Sequence, residues 1–390
     1  MDDNTEKFSR NNQESPPISV EPFCTFYQFI TYSNHTLWLL VGTLHLLLLE
    51  HQTTGQNNTS FEIGGYVETF YAYDFTNPTN ALRQPFLFNH NRHNEVNLNF
   101  GVIKLSVENQ RSRANLSLMA GTYANDNLAA EPGVLKNIYE ANVGIKLLPD
   151  KELWIDVGIM ESHIGFESAF GNQCLQLTRS IMAENSPYFS SGINLNYTSS
   201  SEKWYFSLHL LNGWQRIQRV QGNSLLSTGH QITWFPTERI TVNSSSFIGT
   251  DDPDTNRRMR YFHNFFIEYD WTEQIDIIAG YDIGFQQISP GSKSYNRWES
   301  FNINTRIAIS ERWHLGLRTE FYADPDLVII ETRHGDTFNI WGGSVNLDVK
   351  ITDNAMWRIE ARGLNNSTPI FGDASDTFNF FMTSALAFEF

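Results

Sequence analysis

The stretch TFNFFMTSALAFEF, residues 377–390, decides the fold. One parity reads Phe378, Phe380, Met382, Ser384, Leu386, Phe388, Phe390; the other reads Thr377, Asn379, Phe381, Thr383, Ala385, Ala387, Glu389. A period of two places successive side chains on opposite faces, so this is a strand with one greasy face and one small or polar face. The pattern runs to Phe390, an aromatic residue. In water such a strand invites edge-to-edge aggregation. In a closed barrel it is paired on both sides, and lipid covers its greasy face.

The same alternation recurs upstream at 61–75, 94–108, 113–123, 138–148, 153–162, 188–198, 204–214, 228–235, 240–248, 260–271, 275–287, 298–309, 313–322, 337–350 and 355–364. With the terminal segment this predicts about sixteen strands, an even number suited to a single-chain outer-membrane barrel. The connections alternate without a miss. Short ones fall at 109–112, 149–152, 199–203, 236–239, 272–274, 310–312 and 351–354, and carry Pro-Asp, Ser, Thr-Glu and Asp-Asn turn chemistry. Long ones fall at 76–93, 124–137, 163–187, 215–227, 249–259, 288–297, 323–336 and 365–376. Short turns on one rim and long loops on the other predict an all-β, transmembrane antiparallel up-and-down β-barrel, with short periplasmic turns, long extracellular loops and both termini periplasmic. A β-sandwich would not sort its loops in this way, and the blade-length repeat of a propeller is not seen.

Composition agrees. Phe (29), Tyr (15) and Trp (10) are abundant, yet mean hydropathy is only -0.36. That combination suits a polar lumen between aromatic girdles. The net charge of -16 speaks against nucleic acid as a partner. The only long apolar run, LWLLVGTLHLLLL at 37–49, is short for a transmembrane helix and fits the apolar core of a signal peptide. The expectation is therefore an N-terminal extension and signal-like segment over 1–55, cleaved near 54–56, followed by a barrel over 56–390; an N-terminal membrane anchor is the alternative. Removal would take Cys24 and leave Cys174 as the one thiol, with no disulfide. No metal-type Cys/His cluster is evident, and no cofactor is expected.

In a membrane barrel the apolar parity faces lipid and the polar parity faces the lumen. Along 355–364, Trp357, Ile359 and Ala361 then face out, and Arg358, Glu360 and Arg362 face in. A charge at the lipid midplane costs about 2–4 kcal/mol, so three charges on one parity select it as the wet one. The same reasoning turns Arg306, Arg318 and Glu320 inward, together with Glu68, Glu140, Lys146, Asp156, Glu268, Asp276 and Asp282. Arginines late in the chain and carboxylates elsewhere either set a transverse field across a pore or pair across neighbouring strands. The longest loop, 163–187, mixes Phe166, Phe170 and Leu175 with Glu167 and Arg179. Such apolar content points to a segment folded into the barrel as a constriction, lined by His163, Glu167 and Arg179, rather than to an outside cap.

Several of these pieces, in this order, resemble a known group. They are Asp156-Val157-Gly158, Ile164-Gly165-Phe166-Glu167, Thr178-Arg179-Ser180, Pro187 leading to Gly192, and Leu211-Asn212-Gly213-Trp214-Gln215. Arg318, Glu320, Phe321 and Asp324 follow. Over 61–390 the chain is similar to the OmpL-like family of β-barrel porins. The resemblance implies passive passage of small hydrophilic solutes or ions across a bacterial outer membrane. It also implies outer-membrane lipid as surroundings, and a homotrimer is one expected assembly. The terminal strand ending in Phe390 is the expected contact for the barrel-assembly machinery.

Two other functions are weighed. An outer-membrane hydrolase needs a nucleophile and base, for which His163 with Glu161 and Ser162 is the nearest candidate, but no G-x-S-x-G motif is present. A binding or anchoring barrel would hold a partner or glycan on its long loops; 76–93 and 323–336 between them carry aromatics of exposed type and carboxylates, and Asp324 and Asp326 suggest Ca²⁺ or a simple turn. A plugged transporter is disfavoured, since such barrels have about 22 strands.

Overall fold

The alternation seen at the C-terminus recurs on strand after strand, and each strand pairs antiparallel with its sequence neighbours. In a computed structural model, described over residues 59–332 and 337–390, sixteen strands close into one ring. They are β1 Ser60–Asp74, β2 Val96–Glu108, β3 Ser112–Ala120, β4 Ile138–Lys146, β5 Glu152–Glu161, β6 Phe189–Thr198, β7 Trp204–Leu211 and β8 Ser227–Thr237. The second half comprises β9 Ile240–Gly249, β10 Arg260–Asp270, β11 Ile275–Gln287, β12 Tyr295–Ala308, β13 Trp313–Asp324, β14 Phe338–Lys350, β15 Ala355–Asn366 and β16 Phe378–Glu389. The expected segments at 1–55, with their cleavage point, lie outside the described residues.

The ring closes between β1 and β16 in a register that runs from Tyr66 opposite Glu389 to Asp74 opposite Phe381. Phe390 extends the pairing, donating its N–H to the Gly65 carbonyl and accepting from the Gly65 N–H at 3.0 and 2.9 Å. Closure leaves no strand edge unpaired, which is the condition for crossing lipid. On β16 the two parities separate as the pattern predicts: Met382, Leu386 and Phe388 are exposed, while Asn379, Phe381, Thr383, Ala385 and Ala387 are buried. Aromatic girdles follow on the outer face, with Trp204 stacked on Trp234 near the short-turn rim and Tyr261 edge-on to Tyr295 near the long-loop rim.

The long connections carry short helices, Thr122–Asn127 and Ile181–Glu184, and brief 3₁₀ turns. Inside the ring three apolar clusters form where these connections meet the wall, the smallest joining Leu177 to Phe70, Ala72 and Ala385. Of the two larger, one gathers Tyr66, Phe100, Tyr123, Tyr139 and Phe170. The other gathers Phe86, Phe262, Trp298, Tyr322, Phe338 and Phe381.

Candidate functional site: the lumen and the segment that crosses it

The connection from β5 to β6 leaves one wall and bonds to the other. In a ring of sixteen strands, β13 stands eight places from β5, so a segment that starts at β5 and touches inward side chains of β13 spans the lumen. The contacts are numerous. Asn304 on β12 donates to Glu167 at 3.1 Å. Gln176 donates to the Leu317 carbonyl at 3.1 Å. The Thr178 N–H donates to Glu360 at 2.6 Å and the Ile181 N–H to Glu320 at 2.9 Å. In return Arg318 donates to the Thr178 carbonyl, Arg358 to those of Gly171 and Cys174, and Arg362 to that of Arg179.

The late arginines thus face inward, as the alternation requires, but the inward face is dry there. Arg318, Glu320, Arg358, Glu360 and Arg362 are all buried beneath the crossing segment. Their charges are neutralised in place. Arg318 contacts Glu360, Arg362 contacts Glu320 at 2.6 Å, and Arg358 holds Asp348 with two bonds of 2.6 and 2.9 Å. The first two pairs cross over β14, reaching from β13 to β15. The intervening strand makes room with Gly342 and Ser344, which lie in register between Glu320 and Leu364 and between Arg318 and Arg362. A Cβ on Gly342 would stand 2.9 Å from Glu320 Cγ and 2.6 Å from Leu364 Cδ2.

The three residues expected to line a constriction shape the segment. Arg179 is fully buried and donates to the carbonyls of Ser168, Leu177 and Ala169 at 2.5, 2.8 and 2.9 Å. Glu167 accepts from the Ser180 N–H at 2.8 Å and hydroxyl at 2.7 Å, and Ser180 caps the short helix by accepting from Ala183 N–H at 3.1 Å. His163 donates from Nε2 to the Ser246 carbonyl at 2.8 Å and stacks on His209 of β7 with ring centres 3.9 Å apart. The acceptor fixes the proton on Nε2, and burial pushes this imidazole down to about 4. His163 is therefore a neutral anchor, and Ser162 caps the Ile164 N–H instead of meeting it as a nucleophile.

Sequence reasoning missed the connection between β1 and β2. Its aromatics read as exposed, yet Phe86, Leu87, Arg83, Asn89 and His90 are buried in the lumen. His90 and Asn99 hold Glu68 at 2.9 and 2.8 Å, with Tyr66 at 2.8 Å. Glu68 is thus inward but covered. Arg83 lies 3.7 Å over the Phe381 ring. This connection also meets the crossing segment: Glu184 accepts from the Phe88 and Asn89 N–H groups at 3.0 and 3.2 Å. Asp324, considered above for Ca²⁺, accepts instead from the N–H groups of Val328, Ile329 and Ile330 at 2.9, 2.7 and 3.0 Å.

The Glu184 clasp has a pH consequence. Burial raises its carboxyl to about 7. A group raised on folding contributes its stability in full below the unfolded value and loses it as pH rises through the folded one. The clasp is therefore expected to weaken as pH rises from about 4.5 to about 7. Limited proteolysis of the two connections at both pH values checks this, and Glu184→Gln should flatten the difference.

A wet stretch of the lumen lies on the β2–β6 wall. A polar cavity of about 430 Å³ is lined there by Lys104, Arg113, Glu140, Asp156, Glu161 and Asn194, among others. Arg113 grips Asp156 with bonds of 2.7 and 2.6 Å and lies 4.4 Å over the Trp154 ring. Glu161 belongs to the outward parity of β5 by simple counting. It turns inward because Gly158, at φ +139°, breaks the alternation; a Cβ there would stand 2.1 Å from the Ala141 carbonyl oxygen. Tyr139 donates to Glu161 at 2.8 Å. The remaining expected residues scatter. Lys146 bonds Glu152 near the short-turn rim at 2.5 Å, Arg306 bonds Asp276 at 2.8 Å, Asp282 accepts from Asn264 at 2.6 Å, and Glu268 is half-buried on β10.

Known proteins share this architecture. The anion-selective porin of Comamonas acidovorans superposes with a TM-score of 0.57 at 8% identity, covering 85% of this chain and 100% of that one. OmpT of Vibrio cholerae, solved in trimer form, gives 0.55 at 8% identity, with 85% and 99% covered. The outer-membrane channel DcaP of Acinetobacter baumannii gives 0.55 at 8%, with 85% and 97% covered. No curated protein matches with significance. At such identities the structures establish the fold alone. The family model described as "Putative beta-barrel porin-2, OmpL-like" matches residues 60–390, and the chain belongs to that family of outer-membrane barrels.

Proposed function

We propose that this porin is a diffusion pore for small hydrophilic solutes or ions, narrowed by the segment at 163–187, with the passage running along the β2–β6 wall. One observation carries the reading: the segment leaves β5 and ties itself to inward side chains of β12, β13 and β15 on the far wall. It is fastened on both sides, so it divides the lumen rather than swinging across it. Lys104, Arg113, Glu140, Asp156 and Glu161 then flank the passage, while the late arginines are hidden and spent on carboxylates and carbonyls. His163, Glu167 and Arg179 keep the segment in shape. No step of this function needs a nucleophile or a cofactor.

Carboxylates outnumber cations on that wall, and Arg113 already occupies Asp156. The pore is therefore expected to prefer cations, in contrast to the anion-selective neighbour. Reversal potentials in a salt gradient across a planar bilayer measure this. Glu140→Gln with Glu161→Gln should reduce the preference, and an anion-selective parent pore would contradict the assignment of the passage.

The pore lies within one chain, so a trimer like that of OmpT is a separate expectation. Recognition of the terminal strand by the barrel-assembly machinery is likewise proposed, supported by the strand's apolar outer face and terminal Phe390.

A further inference from the structure

Two irregularities in neighbouring strands aim side chains at one place on the β2–β6 wall. β3 and β4 slip register after Ser117, which stands opposite Glu140 while Leu118 stands opposite Ile138. Tyr139 is the extra residue, and it is buried inside the ring beside Glu140 rather than turned out to lipid. Gly158 does the same for Glu161 on β5, and the Tyr139 hydroxyl donates to Glu161 at 2.8 Å. A bulge disrupts the ladder, so two that converge identify a place where side-chain position matters.

The charges gathered there are near one another but not joined. Lys104 on β2 stops 4.0 Å from Glu161, beyond hydrogen-bond reach. Its ammonium lies against ring faces, 4.9 Å from Phe170 and 5.9 Å from Tyr139. None of its three N–H donors has an acceptor among the described residues. Glu140 accepts from Asn142 at 2.9 Å through one oxygen, and its other oxygen has no partner among the described residues. Lys104 and Glu140 stand in one row with Ser117 between them, about 10 Å apart at about 4.8 Å per strand. Ser117 is 1% exposed, and its hydroxyl also lacks a partner among the described residues. Other charges in the lumen close on each other: Arg113 grips Asp156 at 2.7 Å, and Arg362 meets Glu320 at 2.6 Å.

An ion of one sign gains at one end of this row and is repelled at the other. A solute that carries both signs a few bonds apart gains at both. We propose that the row is a weak binding site for small amino acids in their zwitterionic form, with the solute carboxylate on Lys104 and its ammonium on Glu140 and Glu161. The site rests on the reading of the β2–β6 wall as the passage, whose solute class it names. The side chains of Lys104 and Glu161 are 36% and 51% exposed, so the bonds are made in water and are weak enough for release. Such binding raises flux at low solute concentration.

The test compares two isomers in proteoliposomes carrying the full chain: alanine, a zwitterion at neutral pH, and lactamide, which is uncharged. Uptake of each as a labelled tracer reads its entry. Alanine is expected to enter severalfold faster than lactamide, and excess unlabelled alanine to slow it. Lys104→Met should bring the ratio of the two rates towards one, as should Glu140→Gln with Glu161→Gln. Lys293→Met, on the exposed connection between β11 and β12, removes a charge away from this wall and should keep the ratio. Equal entry of both isomers through the parent, or a ratio that survives Lys104→Met, overturns the proposal and leaves the pore standing. Entry of neither isomer defeats the pore reading, and the proposal with it. Should the variants not insert, single-channel current of the parent decides. Alanine is expected to interrupt it in brief blocks and lactamide at the same concentration to leave it steady; equal effects of the two would refute the site.

Discussion

Arg318→Ala is expected to destabilise the barrel by about 3–5 kcal/mol, the penalty for stranding the partner of a buried ion pair. The side chain is fully enclosed and touches Glu360, and it also donates to the Thr178 carbonyl and hydroxyl at 2.8 Å. Removal leaves Glu360 short of its charge partner and Thr178 short of a donor at the middle of the crossing segment. The loss should appear as a lower unfolding temperature in the heat-dependent mobility of the folded barrel. Arg306→Ala is the control. Its pair with Asp276 is about one-third exposed on both sides, so about 0–1 kcal/mol is at stake. The double change Arg318→Met with Glu360→Leu should cost less than Arg318→Ala alone, because it leaves no buried charge behind.

Excising the middle of the crossing segment, residues 169–180, is expected to raise single-channel conductance severalfold. The deletion removes the backbone that Arg358, Arg362 and Glu360 hold and returns their wall to water. It should also move ion preference towards anions, since Arg318, Arg358 and Arg362 would enter the passage. The carboxylates that now neutralise them remain, so the shift is expected to be partial. Substituting Glu360 and Glu320 with Gln in the excised protein should complete it. Unchanged conductance on excision would mean that the narrowest point lies elsewhere, with the buried β1–β2 connection the first alternative.

All sixteen strands were legible because lipid on one side and a polar interior on the other impose a two-residue period. The 275–287 segment matches its strand end to end, and most other limits fall within a few residues. The alternation of short and long connections carried the topology for the same reason. The site was less legible. Parity turns Arg318, Arg358 and Glu360 inward but is silent on whether the inward side is wet. That depends on a segment distant in sequence, with Thr178 and Glu360 separated by 182 positions. Glu161 was hidden by Gly158, whose single positive φ reverses the parity after it. The β1–β2 connection was hidden differently. Phe86 and Leu87 are a brief apolar pair without periodicity, and the buried polar residues around them, Arg83, Asn89 and His90, look like those of any solvated loop. The one available signal was the mixture of apolar and charged residues that marked 163–187 itself.

The central claim is a pore within one chain, narrowed by a segment fastened to the far wall. Single-channel recording of the parent protein beside the 169–180 excision tests it most directly. A steady, cation-preferring small conductance that grows severalfold on excision is the predicted result. A folded, heat-modifiable parent that never conducts, with an excised form equally silent, would contradict it.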